Sequence, residues 1–408
     1  MKFIKDYISK ELYVDHVMEM AKLANEVYKD QNNIFNLTIG SLYNEDHTLA
    51  TYKSFYDNYN KLDNIIKSKY STSCHGNQSY IDNICNHLFK DIDFKLSYQA
   101  ISTIGGSGAI SLSIFNFLDY HDYILTPSIG WDTYRIIPQQ FNINHLTYNL
   151  FKNDLFDLED FIKQCDYIIN KTNKLCVIIN DPCHNPTGYS MSLDIWNSII
   201  SYFNSIDKNI PIILINDIAY IDYAFNQNTN KLYFELFNKL NDNILVSICY
   251  SCSKSFLIYG HRLGLNIICT KNKELLLDTY NVLVKSARTI WGNVSNGTMD
   301  AIGLLYNYSY DQYIKEKDYY IRILKERSAN FISGLNKYHI KYYPYIEGFF
   351  VTLKIDNQQL DYIHNKLINN HIYAIKVNNG IRVALCSINI NQAIQLPFIL
   401  SKIINTNI

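Results

Sequence analysis

Apolar residues along this chain fall into two patterns, unbroken runs and helical spacing. Leu175-Cys-Val-Ile-Ile-Asn180, Pro211-Ile-Ile-Leu-Ile-Asn216 and Ile244-Leu-Val-Ser-Ile-Cys249 read as strands of a parallel sheet covered on both faces. Asp122-Tyr-Ile-Leu-Thr126-Pro and Leu263-Gly-Leu-Asn-Ile-Ile-Cys269 add two more, and a short strand leads into Gly105. Over residues 11–29, Leu12, Val17, Ala21, Ala24 and Tyr28 recur at helical spacing and predict an amphipathic helix. Further helices are predicted from Gly105 through Leu118, after strand 263–269 through Lys285, and in a long region beyond it. The C-terminal part reads as mixed α+β: a strand over Gly348–Lys354, a helix over 357–369, and strands near 372–376 and 381–386. The predicted class is α/β, a large mostly parallel sheet domain flanked by helices plus a smaller α+β domain. The predicted division is 1–45 as an N-terminal segment belonging to the small domain, 46–310 as the large domain and 311–408 as the small one.

The buried runs end in residues that carry chemistry, on the side where ligands bind in open α/β sheets. Past the run at 244–249 comes Ser251-Cys-Ser-Lys254-Ser-Phe-Leu-Ile-Tyr-Gly-His-Arg262-Leu-Gly264. A lysine there is partly desolvated, which lowers its pKa, and a neutral amine can form a Schiff base. The hydroxyls of Ser251 and Ser253, with Arg262, are groups that grip a phosphate. In Ile101-Ser-Thr-Ile-Gly105-Gly106-Ser107-Gly108 a strand feeds a helix start, whose free amides form an anion site. Asp181-Pro-Cys-His-Asn185-Pro-Thr-Gly188 is a turn made rigid by its prolines. Asp217 ends a buried strand and needs a partner there; Tyr220 follows, and Asp222 is read as an ordinary exposed carboxylate. Trp131 offers an aromatic face at a strand end, or packs in the core. Gly40 would let backbone approach a ligand closely, and Arg382, in Asn379-Gly-Ile-Arg382, has the planar fork that pairs with a carboxylate.

Ser-x-Ser-Lys254 followed by Arg262-x-Gly264 resembles the cofactor-lysine motif of class I aminotransferases of fold type I, and Asn185-Pro-Thr-Gly188 strengthens the likeness. The resemblance runs from around residue 36 to 386. It implies pyridoxal 5'-phosphate as cofactor, carried by Lys254 as the catalytic residue. It implies that Gly106, Ser107, Ser251, Ser253 and Arg262 hold the phosphate, joined by Tyr70 from the neighbouring subunit of a homodimer. Trp131 would stack on the ring, although it is displaced by two residues from the family's Pro-x-Trp. Asn185 and Tyr220 would bond the phenolic oxygen, and Asp217 the protonated ring nitrogen. Gly40, Asn185, Arg382 and the partner-crossing Arg288 would form the substrate site. The Ser-Asn-Pro usual after that last arginine is altered here, in Arg288-Thr-Ile-Trp-Gly-Asn293-Val.

The implied activity moves an amino group between an L-amino acid, aspartate or glutamate first, and a 2-oxo acid. An aromatic amino acid is the nearest alternative, and β-elimination or decarboxylation would use the same fold. Gly106-x-Gly108-x-x-Ser111 also approaches the dinucleotide fingerprint of a dehydrogenase, with serine in place of the third glycine. A non-enzymatic ligand sensor would bring an added DNA-binding segment, and none is visible.

Composition narrows the classes further. With 408 residues, 48% hydrophobic and 18% charged, the chain has material for a large core and two to three domains. A formal net charge of -1 points to no nucleic-acid partner. Nine scattered cysteines, an odd number, argue against a disulfide framework, and Cys249 and Cys252 read as buried reduced thiols. Met-Lys-Phe-Ile-Lys-Asp lacks an apolar leader and no run is long enough for a bilayer, so a cytoplasmic protein without a membrane partner is expected. No metal site is assigned.

Overall fold

The computed structural model of the chain describes residues 3–9, 12–28 and 34–405. Seven strands form its main sheet: β1 (Ser97–Thr103), β2 (Tyr123–Pro127), β3 (Asn144–Tyr148), β4 (Leu175–Asn180), β5 (Ile212–Asp217), β6 (Ile244–Ser251) and β7 (Gly264–Thr270). Their order across the sheet is β1-β7-β6-β5-β4-β2-β3. Neighbours from β6 to β3 are parallel, whereas β7 runs antiparallel to both β6 and β1. Every residue of β4, β5 and β6 is buried, which is why these strands show no polar alternation. Leu175, Val177 and Ile179 enter one core while Cys176 and Ile178 enter another across the sheet. Helices cover both faces, among them α1 (Gly105–Phe117), so the α/β class with a mostly parallel sheet is the observed one.

A second, antiparallel sheet joins β8 (Phe350–Lys354), β9 (Ile375–Val377) and β10 (Gly380–Ala384) in the order β8-β10-β9. The helix expected over 357–369 is Asn357–Asn369, started by the Asp356 side chain accepting from the Gln358 amide. Ile390–Ile404 begins with a reciprocal capping box between Asn389 and Gln392 and packs on the long helix Tyr310–Lys337.

Some boundaries differ from the expected ones for local reasons. The N-terminal helix is His16–Tyr28, because the Asp15 carboxylate accepts from the amides of Val17 and Met18 and starts it there. Leu12 falls outside that helix and is 88% exposed, and positions 11 and 29 lie outside the described residues. β8 begins at Phe350 rather than 348, since Gly348 turns at φ +92°. The helix expected to end at Lys285 is Lys273–Ile290, so Arg288 sits on its last turn.

One buried arginine fixes the segment that faces the sheet's ligand end. Arg327, on the long helix, donates to Glu45 Oε1 at 2.7 Å, to Tyr43 O at 2.8 Å and to Cys386 O at 3.0 Å. The loop after Phe35–Asn36 is thereby pinned against the residues that follow β10.

Candidate active site

β6 runs on to Ser251, and a single helical turn, Cys252–Ser255, then carries Lys254 to the candidate pocket, a site lined by residues of both sheets and of the Gly40 loop. Lys254 Nζ donates to Gly40 O at 2.6 Å and lies 5.0 and 5.6 Å from the ring centres of Tyr259 and Tyr220. Burial lowers its pKa to about 8, and the charges of Arg382 and Arg262 lower it too, against Cys386 and Asp217. A side chain at position 40 would put Cβ 2.7 Å from Phe350 Cζ and 3.6 Å from that amine, so close approach requires the glycine. Tyr259 holds the same loop by accepting from the Leu42 amide at 2.8 Å.

Beside the lysine, four elements converge on one anion-binding corner. The helix α1 starts at Gly105 with no side-chain cap from Ile104, which leaves its first amides open. Arg262 Nη1 donates to Ser253 Oγ at 3.1 Å and to Tyr259 O at 2.9 Å. Gly105, at φ +79°, faces this guanidinium: a Cβ there would lie 2.7 Å from Arg262 Nη2. Gly106 backs onto Ser251, 3.1 Å from Cβ to Cβ were it a larger residue, and half-buried Ser107 follows on the same turn. Open amides, hydroxyls and a guanidinium form a donor set with the chemistry of a phosphate cradle.

On the other side, β5 ends in Asp217, buried and without a cationic hydrogen-bond donor. The hydroxyl of Tyr134 donates to Asp217 Oδ2, and the amide of Ala219 donates to Oδ1 at 3.0 Å. Burial raises the Asp217 carboxyl to about 6, against both hydrogen bonds and the Lys254 charge. Asn180, at the end of β4, donates to Asp217 O at 2.9 Å and accepts from the Asn185 amide at 2.7 Å. The Asn185 turn and the Asp217 strand end are thus tied together. Burial holds the Tyr220 phenol above its usual pKa, against the Arg382 charge.

Arg382, on β10, closes the pocket from the second sheet. It donates from Nη1 to Asn185 Oδ1 at 3.5 Å and from Nη2 to Thr38 O, and its guanidinium lies 4.6 Å over the Phe350 ring. Its Nε is buried without a partner. A buried guanidinium with a free donor suits a carboxylate brought in from outside.

A family model described as aminotransferase class I and II matches residues 32–393. The chain belongs to that family. Among relatives, yeast (Saccharomyces cerevisiae) mitochondrial aspartate aminotransferase is 27% identical over 211 residues, 46% of each chain. The aromatic-amino-acid aminotransferase of Pseudomonas aeruginosa is 32% identical over 115 residues, 28% of this chain and 27% of that one. The chain therefore spans less than half the length of these two curated relatives. Among solved structures, an aminotransferase from Anaerococcus prevotii superposes over 100% of both chains with TM-score 0.95 and 27% identity. The cytoplasmic aspartate aminotransferase of Saccharomyces cerevisiae covers 98% of both chains with TM-score 0.80 and 19% identity, a likeness of fold.

Within this aminotransferase fold not every expected residue enters the pocket. Trp131 is half-buried at its edge, with its ring 5.5 Å from Tyr134 and nearly perpendicular to it. Tyr70, 86% exposed, and Arg288, also exposed, point to solvent rather than to Lys254 of their own chain. They sit on neighbouring segments, since Asn293 Nδ2 donates to Ser71 O at 3.2 Å and to Ser73 O at 3.4 Å.

Two readings are corrected. Asp222 is not an exposed carboxylate: it is 0% exposed, meets His87 Nε2 at 2.5 Å and Lys317 Nζ at 3.5 Å, and accepts from Tyr250 at 2.8 Å. The dinucleotide reading of Gly106-x-Gly108 fails on topology. The strand before it, β1, is an edge strand paired antiparallel to β7, whereas that fingerprint requires a parallel βαβ unit.

Sequence reasoning passed over Tyr134, Asn180, Tyr259 and Phe350. Tyr134 shares a short string with Trp131, and Asn180 ends a buried run, but neither position reveals its partner.

Proposed function

We propose that this chain is a pyridoxal-phosphate-dependent aminotransferase acting on an L-amino acid and a 2-oxo acid, with aspartate or glutamate as the amino donor. The observation that carries this reading is the placing of Lys254 between a phosphate-type cradle and a buried carboxylate without a cation. Gly106, Ser107, Ser251, Ser253 and Arg262 would hold the phosphate, and Asp217 and Tyr220 the two sides of the ring, with Trp131 against its face. When bound, the cofactor supplies an electron-withdrawing ring that stabilises negative charge at the substrate Cα. Lys254, its pKa lowered to about 8, would carry the cofactor and would be placed to move the proton at Cα. Arg382 binds the α-carboxylate as a planar fork, and Gly40 and Asn185 shape the space beside it.

The preference for an acidic donor rests on Arg288, in a homodimer where it and Tyr70 reach the neighbouring pocket. Their exposure on one face supports such a dimer, as do Trp291 Nε1 and Asn293 Oδ1, buried close by without partners. All nine cysteines are unpaired thiols, which supports a reducing, cytoplasmic setting. Among the described residues no helix is long and apolar enough to cross a membrane. The division at 45 and 310 into a large cofactor domain and a small domain remains part of this proposal.

The test is transfer from L-aspartate, L-glutamate or L-tyrosine to 2-oxo acids by protein loaded with pyridoxal phosphate. Formation of the new amino acid, fastest with an acidic donor and lost in Lys254→Ala, is expected. A faster aromatic donor would reassign the substrate class. Release of ammonia or carbon dioxide without transfer would replace the reaction.

A further inference from the structure

Asp217 is a buried carboxylate at the end of β5, and what holds it is more specific than burial. Each of its oxygens takes one donor from a different element: Tyr134 from helix Thr133–Gln140 on Oδ2, and the Ala219 amide on Oδ1. The Tyr134 phenol is 2% exposed, and burial together with the Asp217 charge keeps its pKa well above the ordinary value. It therefore stays protonated and serves as the donor in this pair. The titratable groups facing Asp217 are otherwise Tyr220, Tyr233, Cys249 and Lys254, none of which hydrogen-bonds its carboxylate.

A carboxylate facing a protonated ring nitrogen shares one proton with it, and which atom keeps that proton depends on carboxylate basicity. A hydrogen bond donated to the charged form lowers that basicity. We propose that Tyr134 is a positioning residue that keeps this proton on the cofactor's ring nitrogen, by donating its hydroxyl hydrogen to Asp217 Oδ2. Without the phenol, Oδ2 becomes more basic, the proton moves to Asp217, and the ring loses its electron-withdrawing charge. The inference rests on reading the pocket as a pyridoxal-phosphate site.

Tyr134→Phe tests it, because the ring that packs against Trp131 is retained. The primary readout is NMR of full-length protein loaded with pyridoxal phosphate labelled at the ring nitrogen, titrated over pH. In the unaltered chain the ring nitrogen should report as protonated through neutral pH. In Tyr134→Phe the signal should move toward the unprotonated position. Its kcat should fall about 10- to 100-fold, the worth of one hydrogen bond to a charge, with KM little changed. Tyr134→His, which restores a donor, should recover part of the ring protonation. A nitrogen signal in Tyr134→Phe that titrates as in the unaltered chain, whatever its Tm, overturns the inference and leaves Tyr134 a packing residue. Should Tyr134→Phe not fold, Tyr134→Met takes its place, and a ring nitrogen there that titrates as in the unaltered chain overturns the inference. Failure of the unaltered chain to bind the cofactor on Lys254, read by mass after borohydride reduction, would bring down the site reading as well.

Discussion

Asp217, at the end of β5, and Asp222, five residues on, are both buried, and they are built in opposite ways. Asp222 is compensated inside the protein: burial opposes its charge, but His87 and then Lys317 and Lys231 hold it well below the usual carboxylate range, and Tyr250 donates to it as well. Burial keeps His87 neutral, with its pKa down at about 4, so its ring donates a hydrogen bond rather than a charge. Asp217 receives neutral donors only, and burial leaves its carboxyl raised to about 6. The first carboxylate is ion-paired as the chain folds, whereas the second has no cation among its hydrogen-bond donors. A buried charge without its countercharge on the same chain marks a ligand site more sharply than burial or polarity alone.

That contrast makes opposite predictions for the same substitution. Asp222→Asn should destabilise the fold by about 3–5 kcal/mol in denaturant unfolding, because it strands buried lysines. Asp217→Asn should leave the cofactor-free fold as stable as before or more so, yet cost about 100- to 1000-fold in kcat, as for loss of one aligned electrostatic group. Equal destabilisation by both substitutions would erase the distinction between them.

The pH dependence of stability should differ in sign as well. Asp217 is raised from 3.8 to about 6, so its contribution is full below its unfolded value and is lost as pH rises through about 6. The depressed Asp222 contributes above its unfolded value and loses that contribution as pH falls toward its folded one. Tm of the cofactor-free chain should therefore show Asp217→Asn gaining on the unaltered chain from about pH 4 to about pH 7, whereas the deficit of Asp222→Asn should hold through that range and shrink only as pH falls below about 4.

The smallest effect belongs to the lysine between them and the phosphate-type corner. Only a neutral amine adds to an aldehyde, so the rate of pyridoxal phosphate uptake should rise with pH and level off above about 8. A rate flat from neutral pH upward would mean that Lys254 is not the group that titrates.

How much of this was legible in the sequence follows from how far apart the partners lie along the chain. The strands β4, β5 and β6 announce themselves as apolar runs because their burial on both faces is a local property of each segment. The Lys254 string, the glycines at the start of α1 and the Asn185 turn are legible for the same reason, each being continuous. Tyr134 meets Asp217 across 83 positions, and His87 meets Asp222 across 135. In a chain with 35 tyrosines, neither residue type nor spacing singles out that one.

By itself the sequence determined the α/β class, the buried strands and the local motifs at their ends, since each depends on periodicity or on contiguous residues. Only the tertiary structure decided that β7 inserts antiparallel between β1 and β6, which removes the dinucleotide reading. It also decided which carboxylate pairs with a lysine and which receives neutral donors alone. Both outcomes rest on desolvation and on contacts between distant segments, and these exist only once the sheet has brought those segments together.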